Sequence, residues 1–96
     1  MKLMIPAVHL NGTSRAELER GYKEALQLLD QAADELAKTA PNGRDYYRYE
    51  GDALARAQRE HEARMSGVRA ARDQVEVILM ALMDEDAVDK DGRLMT

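Results

Sequence analysis

Apolar side chains recur at alternating intervals of three and four residues in the first half of the chain, which is the pattern of an amphipathic α-helix. Ser14 and Glu17 form a capping box that predicts the start of this helix. The segment Ala40-Pro41-Asn42-Gly43 predicts a chain reversal after it, because proline cannot continue a helix and Asn-Gly accepts positive φ. The predicted buried positions are Leu18, Tyr22, Ala25, Leu29, Ala32 and Leu36, with Leu26, Leu28 and Ala33 widening the face.

A second helical pattern runs from the middle of the chain to about Glu85. Asp45 is expected to cap a short turn through the tyrosines that follow it, and Gly51-Asp52 is expected to open or kink the second helix. The expected lengths are ~37 Å for helix 1 and ~50 Å for helix 2, so the two cannot cover each other completely. The predicted buried positions of helix 2 are Leu54, Ala57, His61, Val68, Ala71, Val75, Ile78 and Leu82, flanked by Met65 and Leu79.

The segment 75–83 is apolar on nearly every side, and one neighbouring helix cannot cover it. In a hairpin this segment lies beside the start of helix 1, where the arm can cover one flank and a second chain the other. We therefore predict an all-α fold, a long antiparallel helical hairpin with an extended N-terminal arm that assembles into a homo-oligomeric helical bundle. The predicted organisation is an arm over 1–13, a single hairpin domain over 14–85 and a flexible acidic tail over 86–96.

The composition argues against several classes of function. The 96 residues include no cysteine, which removes disulfides, thiolate nucleophiles and Cys-ligated zinc, and a cytoplasmic protein fits best. The net charge of -4 disfavours binding to duplex nucleic acid. The uncharged run 77–83 is too short for the ~20 residues of a membrane span. With neither a metal-ligand spacing nor a nucleophile-base pair, we expect a non-enzymatic protein without a metal or cofactor.

The leader His9-Leu10-Asn11-Gly12-Thr13-Ser14 runs directly into the first helix. A helix N-terminus offers unpaired N–H groups and a partial positive charge, so His9, Asn11, Thr13 and Ser14 are candidate ligands for a phosphate or carboxylate. The alternative is structural: a turn and a cap, with His9 anchoring the arm.

The connection between the helices concentrates tyrosine and arginine in the segment 42–49. Tyr46 and Tyr47 can stack on a nucleobase, Arg44 can bind phosphate, and Asp45 can accept hydrogen bonds from a base edge or ribose. The alternative is that the rings plug the open end of the hairpin, and one tyrosine can serve both purposes.

Five arginines lie along one side of helix 2, interleaved with carboxylates at spacings that favour a solvated, salt-bridged face. Arg72 stands closest to the apolar positions, so it is the arginine that we expect to reach a bound anion or the carboxylate of a partner.

The leader, the segment Ala40-Pro41-Asn42-Gly43-Arg44-Asp45-Tyr46-Tyr47 and the stretch 57–64 resemble a group of small uncharacterised accessory proteins of tailed phages and prophages. The resemblance covers roughly residues 8–83. It implies a phage accessory protein that acts in the host cytoplasm, a class that includes oligomers sequestering nucleotide immune signals and proteins blocking defence enzymes by direct contact.

Two hypotheses of different classes follow. In the first, an inter-subunit pocket sequesters a small phosphorylated ligand, such as a cyclic nucleotide or an ADP-ribose-type signal. In the second, the apolar end of helix 2 docks onto a host defence protein and inhibits it. A virion or packaging factor without a pocket is a third possibility.

Overall fold

The computed structural model describes residues 2–84, which form two long helices joined by a connection with one 3₁₀ turn. Helix α1 spans Arg15–Ala37, the 3₁₀ turn spans Gly43–Asp45 and helix α2 spans Ala53–Met83. The helices pack against each other as a hairpin, and residues 2–84 contain no strand, so the predicted all-α helical hairpin is confirmed. The predicted tail over 86–96 lies outside the described residues.

Helix α1 begins where the capping box predicts. The Ser14 hydroxyl accepts a hydrogen bond from the backbone N–H of Glu17 at 3.2 Å, which satisfies one of the amides that a helix N-terminus leaves without an intrahelical acceptor. After Ala37 the chain leaves the helix through backbone bonds of the i,i+3 type, and Pro41 follows in the connection. The sequence therefore predicted both ends of this helix closely.

The connection is capped by a different residue from the one expected. The Asn42 side chain accepts from the backbone N–H of Arg44 at 2.8 Å, whereas Asp45 lies inside the 3₁₀ turn, so the predicted cap at Asp45 is wrong. Asn42 takes this position because its short amide reaches the amide two residues on. Gly51 then adopts φ +78°, a conformation that favours glycine, and α2 begins cleanly at Ala53.

The core is a thin seam between the two helices. Leu82 is completely buried, whereas no residue of α1 reaches full burial. Met65 and Leu79, expected to flank the buried face of α2, are among its buried residues. Two predicted buried positions, Ala71 of α2 and Ala32 of α1, are exposed. The hidden positions on α2 thus drift from the predicted set, as expected when a straight helix follows a repeat near 3.5 residues per turn. The buried residues of α2 are Ala57, His61, Met65, Leu79 and Leu82.

The apolar end of α2 is only partly covered. Leu79 and Leu82 face the seam, but Val77, Met80 and Met83 remain 53%, 52% and 45% exposed. Residues 2–9 contain neither helix nor strand, and alternate apolar side chains within them are half-buried. Neither α1 nor α2 combines the length and the apolar character that crossing a membrane requires.

Candidate functional site

A hollow of about 320 Å³ lies where the connection folds back over the first turns of α2. Gly43 lies against the start of α2, since a Cβ at that position would be 3.7 Å from Leu54 Cδ2. This packing places the tyrosine segment beside the first turns of α2, where Tyr46 is half-buried. The residues lining the hollow are Tyr46, Tyr49, Ala53, Arg56, Ala57 and Glu60.

Two tyrosine rings form the aromatic wall of this hollow. The ring centroids of Tyr46 and Tyr49 are 6.4 Å apart, and the ring planes are inclined by 39°. Tyr46 is half-buried, whereas Tyr49 is 68% exposed. A flat ring system placed beside them gains contact area and the electrostatic attraction between aromatic faces and edges.

Opposite charges line the helical wall. Arg56 and Glu60 lie four residues apart, one turn along α2, and both are exposed. A guanidinium there can bind a phosphate or carboxylate in bidentate fashion, and a carboxylate can accept hydrogen bonds from a base edge or a hydroxyl. The volume is at the lower end of the ~300–1,000 Å³ typical of small-molecule sites. The hollow therefore suits a single ring system with an attached anionic group.

Only one of the four predicted residues of this segment lines the hollow. Tyr46 contributes to it, whereas Tyr47 is 74% exposed and, like Arg44 and Asp45, is not part of its lining. Arg44 instead donates its backbone N–H to the Asn42 cap.

Five lining residues were not among the predicted site residues, and three of these five carry polar groups: Tyr49, Arg56 and Glu60. Arg56 and Glu60 are spaced by one helical turn, but this spacing is equally typical of a solvent-exposed ion pair on a helix. Only the backward fold of the connection brings these two side chains under the tyrosines.

The leader forms a tight turn at the other end of α1. The Gly12 N–H donates to the His9 carbonyl at 3.1 Å, and a Cβ at Gly12 would lie 2.8 Å from His9 Nε2. The imidazole of His9 therefore lies directly against the Gly12 backbone. Ser14 caps α1, and Asn11 and Thr13 are exposed. These contacts are those of the structural alternative for the leader.

The leader turn and the tyrosine segment are separated within one chain. They flank opposite ends of α1, whose 23 residues rise by ~34 Å. The two candidate sites therefore cannot contact the same small ligand in a single copy of the chain.

Arg72 is occupied by carboxylates of its own chain. Its Nε lies 2.7 Å from Asp30 Oδ1 on α1, and its other nitrogens reach Asp73 Oδ1 at 3.3 Å and Glu76 Oε2 at 2.9 Å. The hydrogen bond to Asp30, followed by that to Asp73, raises the pKa of the Arg72 guanidinium above its ordinary value. The carboxylate that Arg72 reaches is thus an internal one.

Within residues 2–84, no group of three or more histidine, aspartate and glutamate side chains is arranged to hold a metal ion.

Comparisons with protein-family models, with curated proteins and with solved structures gave no match to this chain.

Proposed function

We propose that this protein binds a small nucleotide-derived ligand beside the tyrosine segment, without chemical turnover, and so removes it from solution. The ligand class is a cyclic nucleotide or an ADP-ribose-type signal. In line with the resemblance to phage accessory proteins, the ligand is a host immune signal and the site of action is the host cytoplasm.

One observation supports this proposal above the others: an aromatic wall, a cation and a carboxylate meet in one hollow. Tyr46 and Tyr49 provide ring faces, Arg56 provides a charge for phosphate, and Glu60 provides an acceptor for a base or ribose. The base, the phosphate and the ribose of a nucleotide-derived ligand can each use one of these three kinds of partner.

The complete pocket is formed between copies of the chain in a homo-oligomeric bundle. A 320 Å³ hollow holds one ring system and one phosphate, which is too little for a ligand with two nucleoside units. A second copy running in the opposite direction brings its arm and leader turn to the tyrosine segment. His9, Asn11 and Thr13 then add polar contacts from across the interface.

The direct test is calorimetric titration of the full chain with AMP, ADP-ribose and a set of cyclic mono- and dinucleotides. Binding of at least one of them is expected, and Arg56→Met is expected to weaken it at least ~10-fold because a desolvated ion pair with phosphate is lost.

Arg69→Met is the matched control, because Arg69 is an exposed arginine on the same helix, thirteen residues beyond Arg56. Absence of heat and of thermal stabilisation with every ligand in the set would refute the proposal. An equal loss of affinity in both variants would show that the ligand does not bind in this hollow.

A second function is favoured by the apolar surface at the end of α2. Val77, Met80 and Met83 are about half exposed and recur every three residues, which is a spacing suited to docking in the groove of a partner protein. In that case the chain inhibits a host defence protein by direct contact. Val77→Lys with Met80→Lys would then abolish inhibition in infected cells while leaving nucleotide binding unchanged.

A further inference from the structure

The two flanks of the hairpin differ in chemistry. One flank carries the ion pairs of Arg72 with Asp30 and Glu76. At 100° per residue, the opposite flank of α1 carries Leu18, Gly21, Ala25, Leu28 and Ala32, again spaced by three and four residues. The same flank of α2 carries Gly67, Ala71, Gln74, Ile78 and Ala81, which we call, together with the α1 set, the apolar flank.

The apolar flank has open space above it. Leu28, the largest apolar side chain of this flank on α1 that is exposed, is 63% exposed. A Cβ added at Gly21 or at Gly67 would meet nothing within 4 Å. Both glycines interrupt long helices, where glycine is the least favourable residue except proline. A close approach by another backbone accounts for both, and nothing within the described chain makes one.

Helix α1 carries a projection and a hollow on this flank. The hollow has a volume of about 250 Å³ and is lined by Glu17, Leu18, Gly21, Tyr22 and Ala25. Gly21 deepens it because this residue has no side chain. The projection is Leu28, two helical turns further along, at ~10.5 Å by helix rise. A surface with both a projection and a matching hollow can pair with a second copy about a two-fold axis. The projection of each copy then fills the hollow of the other.

The position of such an axis follows from the spacing. Two α1 helices crossing antiparallel with their centre near residues 24 and 25 place Leu28 of each copy over Gly21 of the other. On α2 the corresponding centre is Gln74, about which Gly67 of one copy faces Ala81 of the other. The side-chain amide of Gln74 then lies beside Gln74 of the other copy at the axis, and the two amides can exchange hydrogen bonds.

The two centres lie at nearly the same height along the hairpin. The contact between Arg72 and Asp30 shows how the two helices align. Gln74 follows Arg72 by two residues in a helix antiparallel to α1, so it lies opposite the segment around Leu28, within about one helical turn of residues 24 and 25. One two-fold axis therefore serves both helices.

We infer that the apolar flank is the surface through which two copies of this chain form an antiparallel four-helix bundle, with Leu28 of each copy seated over Gly21 of the other. Contact along the ~34 Å of α1 and across the ~20 Å width of two helices covers roughly 700 Å² per copy. Stable interfaces bury roughly 600–1,000 Å² per partner, so the flank falls within that range.

This arrangement gives the proposed function its shared site. From the axis, Ser14 lies ~16 Å towards one end and Lys38 of the second copy lies ~20 Å towards the same end. The leader turn of each copy therefore lies beside the connection of the other. The inference deepens the proposed function by naming its interface, but the dimer itself requires no ligand.

The first test is sedimentation equilibrium of the full chain without nucleotide. We expect a dimer of the 10.8 kDa chain at tens of micromolar, and Leu28→Lys is expected to raise its Kd at least ~10-fold by placing a charge in the hollow. Met80→Lys is the matched control, because Met80 is 52% exposed on the other side of α2, and its dimer should be unchanged. Circular dichroism checks that both variants keep their helices.

The second test uses the absence of cysteine from the chain. Gln74→Cys should form a disulfide-linked dimer under mild oxidation, because the two thiols meet at the axis, whereas Ser66→Cys on the outer face of α2 should not. A monomeric wild type, equal Kd values for the two lysine variants, or equal cross-linking of the two cysteine variants would each overturn the inference. Failure of nucleotide binding with a normal dimer would overturn only the ligand.

Discussion

Arg72 Nε lies 2.7 Å from Asp30 Oδ1 and joins α2 to α1 across the seam. The pair is reinforced by Glu76 one turn further on, 2.9 Å from Arg72 Nη2. This cluster gives one flank of the hairpin an ionic character, and the contact between Arg72 and Asp30 ties α1 to α2.

Double-mutant cycles on Asp30→Asn and Arg72→Met should give a small favourable coupling energy in urea unfolding. The value is small because the two side chains are 52% and 29% exposed, and solvent screens the pair. Since the pKa of Arg72 is raised, the arginine stays charged well into the alkaline range and the coupling should be constant from pH 7 to pH 10. Raising the salt concentration should weaken it, and a coupling insensitive to salt would contradict this account.

Ser14→Ala should destabilise the protein by about 1 kcal/mol, because it removes the side-chain acceptor for the Glu17 amide. Asp52→Ala is the matched comparison at the start of α2, where the Asp52 side chain makes no capping hydrogen bond. Its cost should therefore be clearly smaller in the same urea titration at fixed protein concentration. Equal losses for the two variants would show that the Ser14 bond contributes nothing.

Gly51→Ala should cost about 1–2 kcal/mol, because φ is +78° at this position and an L side chain there approaches the following carbonyl. Gly43→Ala is the control in the same connection. Its added methyl would meet Leu54 Cδ2 at an ordinary 3.7 Å, so little loss is expected. Thermal unfolding at one fixed protein concentration compares the two variants. If the Gly43 variant were the less stable one, the positive φ of Gly51 would not be what makes a side chain costly in this connection.

Leu82→Ala should be among the most damaging single changes in the hairpin, at about 3 kcal/mol, since its side chain is completely buried and its removal leaves a cavity. Met83→Ala is adjacent and 45% exposed in the single chain, so it should cost well under half as much. Chemical denaturation of both variants measures the difference. Similar losses would mean that Met83 is also enclosed, as a partner docked on the end of α2 would make it.

The sequence predicted the helices better than their surroundings, for physical reasons that differ between residues. Helix periodicity and the Ser14 cap are local, so α1 could be placed from spacing alone. The hidden positions of α2 depend on how it winds around α1, which is why Met65 and Leu79 were set at the margin although both are buried.

The candidate site depends still more on tertiary structure. Tyr46 was identified because tyrosine and arginine are concentrated in the connection, but Arg56 and Glu60 become site residues only when the connection folds back over α2. The apolar flank was hidden in the sequence for a similar reason. Its α1 and α2 members alternate with seam residues, and they can be recognised as one surface only after the alignment of the helices is known.

The last prediction separates two tyrosines that the sequence alone treats alike. Tyr47 and Tyr49 are 74% and 68% exposed, yet only Tyr49 lines the hollow beside Tyr46. Stacking of one base on an aromatic ring contributes about 1–3 kcal/mol, so Tyr49→Ala should weaken nucleotide binding by roughly 5- to 150-fold. Tyr47→Ala should change it less than about twofold, because its ring is outside the site. Calorimetry on both variants decides the matter: a larger loss at Tyr47 would move the ligand to the outer surface of the connection, where Arg44 rather than Arg56 would meet the phosphate.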